Sequence, residues 1–131
     1  MKHFSIFLIL FLLPYQIILA QKQNITAVKF DKENIFLNNQ IAFNYQKNGN
    51  NFYIYNLKNV EIIKGEIQPL GNGKFTNKVT FILQEKQFKS SKIVGRNQLI
   101  FALTENNVIK KDFSIDEEKL TVFLNKLNEV E

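Results

Sequence analysis

The chain has 131 residues, a formal net charge of +5, 45% hydrophobic and 13% aromatic residues, and neither cysteine nor tryptophan. Its single histidine, His3, and its single methionine, Met1, both sit at the extreme N-terminus. Beyond them, disulfides, thiol nucleophiles and Ser-His or Cys-His catalysis are excluded, and zinc, copper or haem sites lack their ordinary donors.

The first twenty residues, MKHFSIFLILFLLPYQIILA, begin with the basic Lys2 and His3. An apolar run from Phe4 to Leu13 follows, and Ala20 is a small residue before the polar Gln21. This is the layout of a secretory signal peptide cleaved after Ala20. A retained membrane anchor is disfavoured, because Pro14, Tyr15 and Gln16 interrupt the run and no basic stop-transfer cluster follows closely. Residues 1–20 are therefore expected to be a signal peptide and residues 21–131 a single domain with a periplasmic or extracellular address. A chain of that size buries about two-thirds of its unfolded surface, enough for one modest core. No later apolar run is long enough to cross a bilayer. Asn24-Ile25-Thr26 matches a glycosylation sequon, which matters only in a eukaryotic secretory path.

Between Gln21 and Lys111 there are 14 basic and 6 acidic residues, and from Asp112 to Glu131 there are 2 basic and 6 acidic ones. A basic body would suit an anionic partner. The lysines are scattered along the chain, however, with no run beyond Lys110-Lys111. Asp116, Glu117 and Glu118 stand where a helix start favours negative charge.

From Ile25 to Leu83 the hydrophobic period is two, punctuated by Asn, Gly and Asp, which predicts an antiparallel meander. Ile25–Phe30 is the first strand, ended by Asp31 to Asn34. Ile35–Leu37 and Gln40–Gln46 flank a two-residue turn at Asn38-Asn39. Asn48-Gly49 matches a hairpin that needs positive φ. With that pair as the loop, Tyr45 opposes Phe52 and Phe43 opposes Ile54. Ile41, Phe43, Tyr45, Phe52 and Ile54 then share a core face, continued by Ile63 and Ile67. Ala42, Asn44, Tyr53 and Tyr55 share the other face. A second turn at Lys58-Asn59 sets Leu57 against Val60, Tyr55 against Ile62 and Tyr53 against Lys64, adding Val60, Ile62, Lys64 and Glu66 to the tyrosine side.

The tyrosine side is thus mixed. Cross-strand aromatic packing accounts for it in structural terms. A contact platform accounts for it in functional terms, since tyrosine offers rigid area with a polar tip. Pro69–Gly73 reads as a loop before the strand Lys74–Leu83. There Phe75, Val79, Phe81 and Leu83 point inward, and Lys74, Thr76, Lys78 and Thr80 outward. Gln87–Ser90 adds a short last strand. Lys92–Asn106 reads as a helix with Ile93, Val94, Ile100, Phe101 and Leu103 as its apolar residues. In FSIDEEKLTVFLNKLNEVE, Ser114 and Glu117 form a capping-box pattern. Leu120, Phe123, Leu124 and Leu127 follow as one helical stripe. The expected fold is α+β: a meander of about six strands, then two helices packed on one sheet face.

Paired carboxylates are the chemistry left for an enzyme. Asp31 and Glu33 lie in a turn, where Asp is expected for local reasons. Asp116–Glu118 is explained by helix capping. No spacing resembles a calcium loop, and Gly71-Asn72-Gly73 is too short for a phosphate cradle. Arg96, the lone arginine, has the geometry to clamp an anion. At a helix start it more often makes a surface or sheet-edge contact.

The run IFLNNQIAFNYQKNGNNFYIYNLKNVEIIKGEI, with VGRNQLIFALTENNVI and the capped C-terminal helix, resembles small uncharacterised secreted or periplasmic proteins of AT-rich Gram-negative bacteria. The resemblance implies an exported address and carries over no active site. The expected function is a non-enzymatic binding or scaffolding module. A carboxylate-based hydrolase or lyase, or a basic module for an anionic polymer, is the alternative. Tyr53, Tyr55, Lys64 and Arg96 are the candidate binding residues. No catalytic residue, metal or cofactor is expected. The partner class expected is an envelope protein, without specific nucleic acid and without membrane after signal cleavage.

Overall fold

Within residues 25–130, which the computed structural model describes, seven strands follow one another across the sheet in chain order. They are β1 (Val28–Phe30), β2 (Asn34–Leu37), β3 (Gln40–Asn48), β4 (Asn51–Tyr55), β5 (Glu61–Gly71), β6 (Lys74–Phe81) and β7 (Lys86–Ser90), and every neighbouring pair is antiparallel. Helices α1 (Arg96–Glu105) and α2 (Glu117–Val130) come after the sheet and pack on it. This is the α+β architecture that the change of hydrophobic period predicts. The expected signal segment, its cleavage point and Asn24 of the sequon lie outside the described residues.

The turns explain much of the asparagine. Asn38 and Asn39 both have positive φ, 49° and 66°, so they make the predicted two-residue hairpin loop. Asn59, Asn72 and Asn107 also take positive φ, a conformation asparagine tolerates better than most residues. The β3–β4 turn lies one residue further on than the sequence suggests. Asn48 pairs with Asn51, and Gly49 (φ 62°) leads a Gly-Asn loop. Glycine at the first central position is the type II′ signature. Tyr45 consequently faces Ile54, not Phe52. The two faces survive this shift, because a partner two positions along has the same parity.

Phe43, Tyr45, Phe52, Ile54, Ile63, Val79, Phe81 and Phe88 are all buried on one side of the sheet. The helices cover that side with Leu99, Ile100, Leu103, Leu120 and Phe123. Phe88 meets Phe123 edge-on at 5.8 Å, tying β7 to α2. Gly65 lies directly across from Phe52, whose ring fills the space a side chain would take.

Several inward and outward assignments change. The β2–β3 register shifts between Ile35 and Phe36, so Ala42 is an extra residue and is buried, while Ile41 is exposed. A second bulge between Ile54 and Tyr55 turns Ile62 into the core, off the tyrosine face where strict alternation puts it. Pro69 to Gly71 belong to β5, and Asn72-Gly73 make a tight turn in place of the expected longer loop. Phe75 and Leu83 are exposed, because they fall past the two ends of the covered region. Asn77 takes an inward position and is fully buried, and its amide donates to the Val94 carbonyl at 3.4 Å.

α1 begins at Arg96, not Lys92. The Ser90 hydroxyl accepts the Lys92 and Ile93 N–H groups at 3.1 Å each and holds that segment as a turn. Leu99, Ile100 and Leu103 form its buried face, and Phe101 points outward. At α2 the capping residue is Asp116, whose carboxylate accepts the Lys119 N–H at 3.0 Å. Ser114 serves a different turn, donating both its N–H and its hydroxyl to Asp112. The stripe predicted for α2 is present, with Leu120 and Phe123 buried and Leu124 and Leu127 half-buried.

Candidate functional site

The sheet face turned away from the helices is polar and carries both tyrosines. Opposed residues in neighbouring strands share a face, so the register reads off its rows. Gln46, Tyr53, Lys64, Thr80 and Gln87 stand in one row across β3 to β7. Asn34, Asn44 and Tyr55 stand in the next across β2 to β4. Glu66, Lys78 and Lys89 form a third across β5 to β7. Three of the four residues singled out from sequence, Tyr53, Tyr55 and Lys64, are therefore brought together. The Lys64 ammonium lies 6.0 Å from the Tyr53 ring centre, a cation–π distance. Both tyrosines are half-buried.

Arg96 is on the other side. It opens α1 and lies over the rings of Phe30 and Tyr45, at 5.0 and 5.3 Å from their centres. Phe30 and Tyr45 themselves meet edge-on at 5.0 Å. The guanidinium also donates to the Tyr45 hydroxyl. Arg96 thus spends its planar group on holding α1 to β1 and β3. It is separated from Tyr53, Tyr55 and Lys64 by the thickness of the sheet.

Beside Tyr55 the outer face has a hollow of about 490 Å³, lined by Glu33, Asn34, Asn44, Gln46 and Asn59 among others. Its amides are connected. Asn34 Nδ2 donates to Asn44 Oδ1 at 2.9 Å, and Asn44 Nδ2 donates to Asn59 Oδ1 at 2.6 Å. The Tyr55 hydroxyl donates to Gln46 Oε1 at 3.2 Å. Such a chain locks the orientation of each amide. It leaves an acceptor at Asn34 and donors at Asn59 and Gln46 for a ligand or for water. These three amides were missed from sequence. With a straight hairpin at Asn38-Asn39, Asn34 would oppose Phe43. The bulge at Ala42 realigns it with Asn44. That signal is tertiary, and no local pattern carries it.

A second cleft, of about 440 Å³, opens at the end of the sheet between the β4–β5 loop, the β6–β7 turn and the loop joining the helices. Each hollow has one carboxylate residue in its lining, Glu33 in the first and Asp112 in the second. Asp112 is held below the usual carboxylate range by the Ser114 hydroxyl and N–H, which donate to it. Asp31, weighed from sequence as a pair with Glu33, accepts the Glu33 and Asn34 N–H groups at 3.1 Å each, the expected turn role. Among the described residues no three His, Cys, Asp or Glu side chains gather as a metal set, and no helix is long and apolar enough to cross a membrane. No family model matches the chain, and comparison with curated proteins and with solved structures returns no match.

Proposed function

We propose that this chain is an exported, non-enzymatic binding module that engages an envelope or extracellular partner through the outer face of its sheet. One observation carries the reading: Tyr53, Tyr55 and Lys64 stand in adjacent rows on the uncovered side, next to a hollow whose amides are already oriented. Tyrosine buries large area at low rotamer cost, and a preset amide chain lowers the ordering cost of binding. A carboxylate hydrolase needs two acids flanking one substrate bond, and neither hollow pairs two. The exported address rests on the signal-peptide layout of residues 1–20.

The test is capture from envelope extract with Tyr53→Ala/Tyr55→Ala. The two cross-strand aromatic contacts contribute only about 0.2–1 kcal/mol each, so the variant is expected to stay folded and to lose the partner. A variant that keeps the partner, or one that unfolds, sinks this use of the face. A second reading has its own support. Lys78 and Lys89 are directly opposed like charges, with Lys64 diagonal to Lys78, and the one acid of the row, Glu66, faces Lys78 from its other side, so three lysines share a single opposed carboxylate. On that reading the partner is an acidic polymer. Binding then falls steeply with salt and with Lys78→Gln/Lys89→Gln, while the tyrosine variant matters less.

A further inference from the structure

With the outer face taken as the binding surface, the groups that line the hollow beside Tyr55 restrict what it can hold. Asn44 spends its whole side chain inside the protein. Its Oδ1 accepts from Asn34, and its Nδ2 donates to Asn59 Oδ1 at 2.6 Å and to the Asn56 carbonyl at 3.5 Å. The outer members of the chain keep groups in reserve. Asn34 retains its Oδ1, Asn59 its Nδ2, and Gln46, whose Oε1 takes the Tyr55 hydroxyl, its Nε2. The Glu33 carboxylate adds acceptor oxygens and has no cationic partner among the described residues. Donors and acceptors thus share one open concavity, and only Glu33 among them is charged.

That set disfavours several occupants. No lysine or arginine lines the hollow, so an anionic group would meet Glu33 with nothing to neutralise it. A cationic group satisfies Glu33 but has no acceptor for the Asn59 and Gln46 donors. An apolar segment would strip water from the amides and return no partner, which is costly. A peptide strand pairs through its backbone at a sheet edge, whereas this hollow lies over β2, β3 and β4, each already paired on both sides. A polyhydroxyl ring fits. Each hydroxyl both donates and accepts, so it serves Asn34 or Glu33 and also Asn59 or Gln46. The C–H surface of such a ring needs a flat apolar wall, and Tyr55 supplies one with its hydroxyl tied to Gln46. Tyr45 also borders the hollow, but its ring is turned inward against Phe30 and Arg96.

We propose that this hollow binds a ring of a neutral oligosaccharide, which names the ligand class of the face described above and rests on that reading of it. The volume of about 490 Å³ holds roughly sixteen groups of water size at about 30 Å³ each, against about twelve non-hydrogen atoms in a hexose. Gln46 and Tyr53 stand opposite one another in the next row, so a longer chain continues across the face from the hollow. Each hydrogen bond replaces one to water, so the binding is selective more than tight.

The experiment is an NMR titration of the purified protein that follows the side-chain amide signals of Asn59 and Gln46. Cellohexaose, maltohexaose and chitohexaose are the neutral probes, and hexagalacturonate is the anionic one. Saturable shifts of both signals are expected with at least one neutral probe, at a Kd of about 0.1–1 mM. Hexagalacturonate is expected to be at least about tenfold weaker at those signals. Gln46→Glu replaces the donor but keeps the oxygen that Tyr55 uses, and Asn59→Gly suits the φ of 64°. Both change exposed side chains, so the rest of the spectrum is expected to stay in place. Each is expected to weaken the neutral probe by about threefold to tenfold. No saturable shift with any neutral probe up to about 10 mM overturns the proposal. Binding that both variants leave unchanged, or equal binding of hexagalacturonate at these signals, overturns it as well. The saccharide class and the use of the face fail separately. If no neutral probe binds but Tyr53→Ala/Tyr55→Ala still loses its captured partner, the face stands and the saccharide falls. If a neutral probe moves both signals while that variant keeps its partner, the saccharide stands and the captured partner belongs elsewhere.

Discussion

At the scale of single residues, the sheet is organised around a pairing of nothing with something large. Gly65 has no side chain, and Phe52 opposite it lays its ring across the gap. A Cβ built on Gly65 would fall 1.9 Å from that ring, well inside contact distance. Gly65→Ala is therefore expected to destabilise the protein by roughly 1–3 kcal/mol, the range for overpacking a filled core. Chemical denaturation measures it, and pairing the change with Phe52→Leu is expected to restore part of the loss. A Gly65→Ala protein as stable as the parent means the ring does not occupy that space. Arg96 makes the complementary point. It carries charge yet serves as a flat plate over Phe30 and Tyr45, so its contribution is area and stacking more than Coulomb energy.

At the scale of elements, turns and bulges set what each strand presents. Gly49 is the positive-φ residue of the β3–β4 loop and meets nothing within 4 Å, so a side chain there is refused by backbone conformation alone. Gly49→Val is expected to cost about 1–2 kcal/mol or more, since a β-branched residue resists the left-handed region. Asn48→Thr, at the last paired position of β3, is expected to change stability by less than about 0.5 kcal/mol. Thermal melts of the two variants decide the turn. Equal losses, or a larger loss for Asn48→Thr, place it at Asn48-Gly49 instead. The bulges act in the other direction, transferring Ile62 from one face to the other and bringing Asn34 beside Asn44. Ile62 thereby lines the cleft at the end of the sheet, and Asn34 and Asn44 line the amide hollow.

At the scale of the whole molecule, the two helices cover the central part of one sheet face and leave the other face to solvent. Phe123, 4% exposed, joins α2 to β7 through Phe88, while Lys78 stands on the open face. Phe123→Ala is expected to cost about 3–5 kcal/mol. Lys78→Ala is expected to cost less than about 0.5 kcal/mol. Denaturant midpoints at unchanged slope give the comparison, and similar small losses for both would contradict the helix-covered face. The division of labour follows from the same geometry. A meander closes its edges poorly but exposes one broad flat face, and the helices use the C-terminal third of the chain to bury the other.

Much of this was legible in the residues in order. Alternation at Phe52, Ile54, Val79 and Phe81 predicts the inward face because side chains in a strand reverse with every step. Asn38-Asn39 predicts its turn, and Leu120, Phe123, Leu124 and Leu127 predict α2, because hairpin and helix spacings are set within a few residues. Tyr53 opposite Lys64 came from the same local counting. The remainder belongs to the tertiary structure. A bulge is decided by which register buries more area across two strands, so strict alternation misplaces Ile62 and gives no sign that Asn34 reaches Asn44. Which turn of α1 faces the sheet depends on where Ser90 and Gly95 release the chain, so Leu99 is buried and Phe101 is not. Arg96 reads in sequence as an anion clamp or as a surface or sheet-edge contact at a helix start, and only the approach of α1 to β1 and β3 supplies the two rings it lies on. Periodicity is local and survives in one dimension, whereas partners that meet across the fold are chosen by packing, which one dimension does not contain.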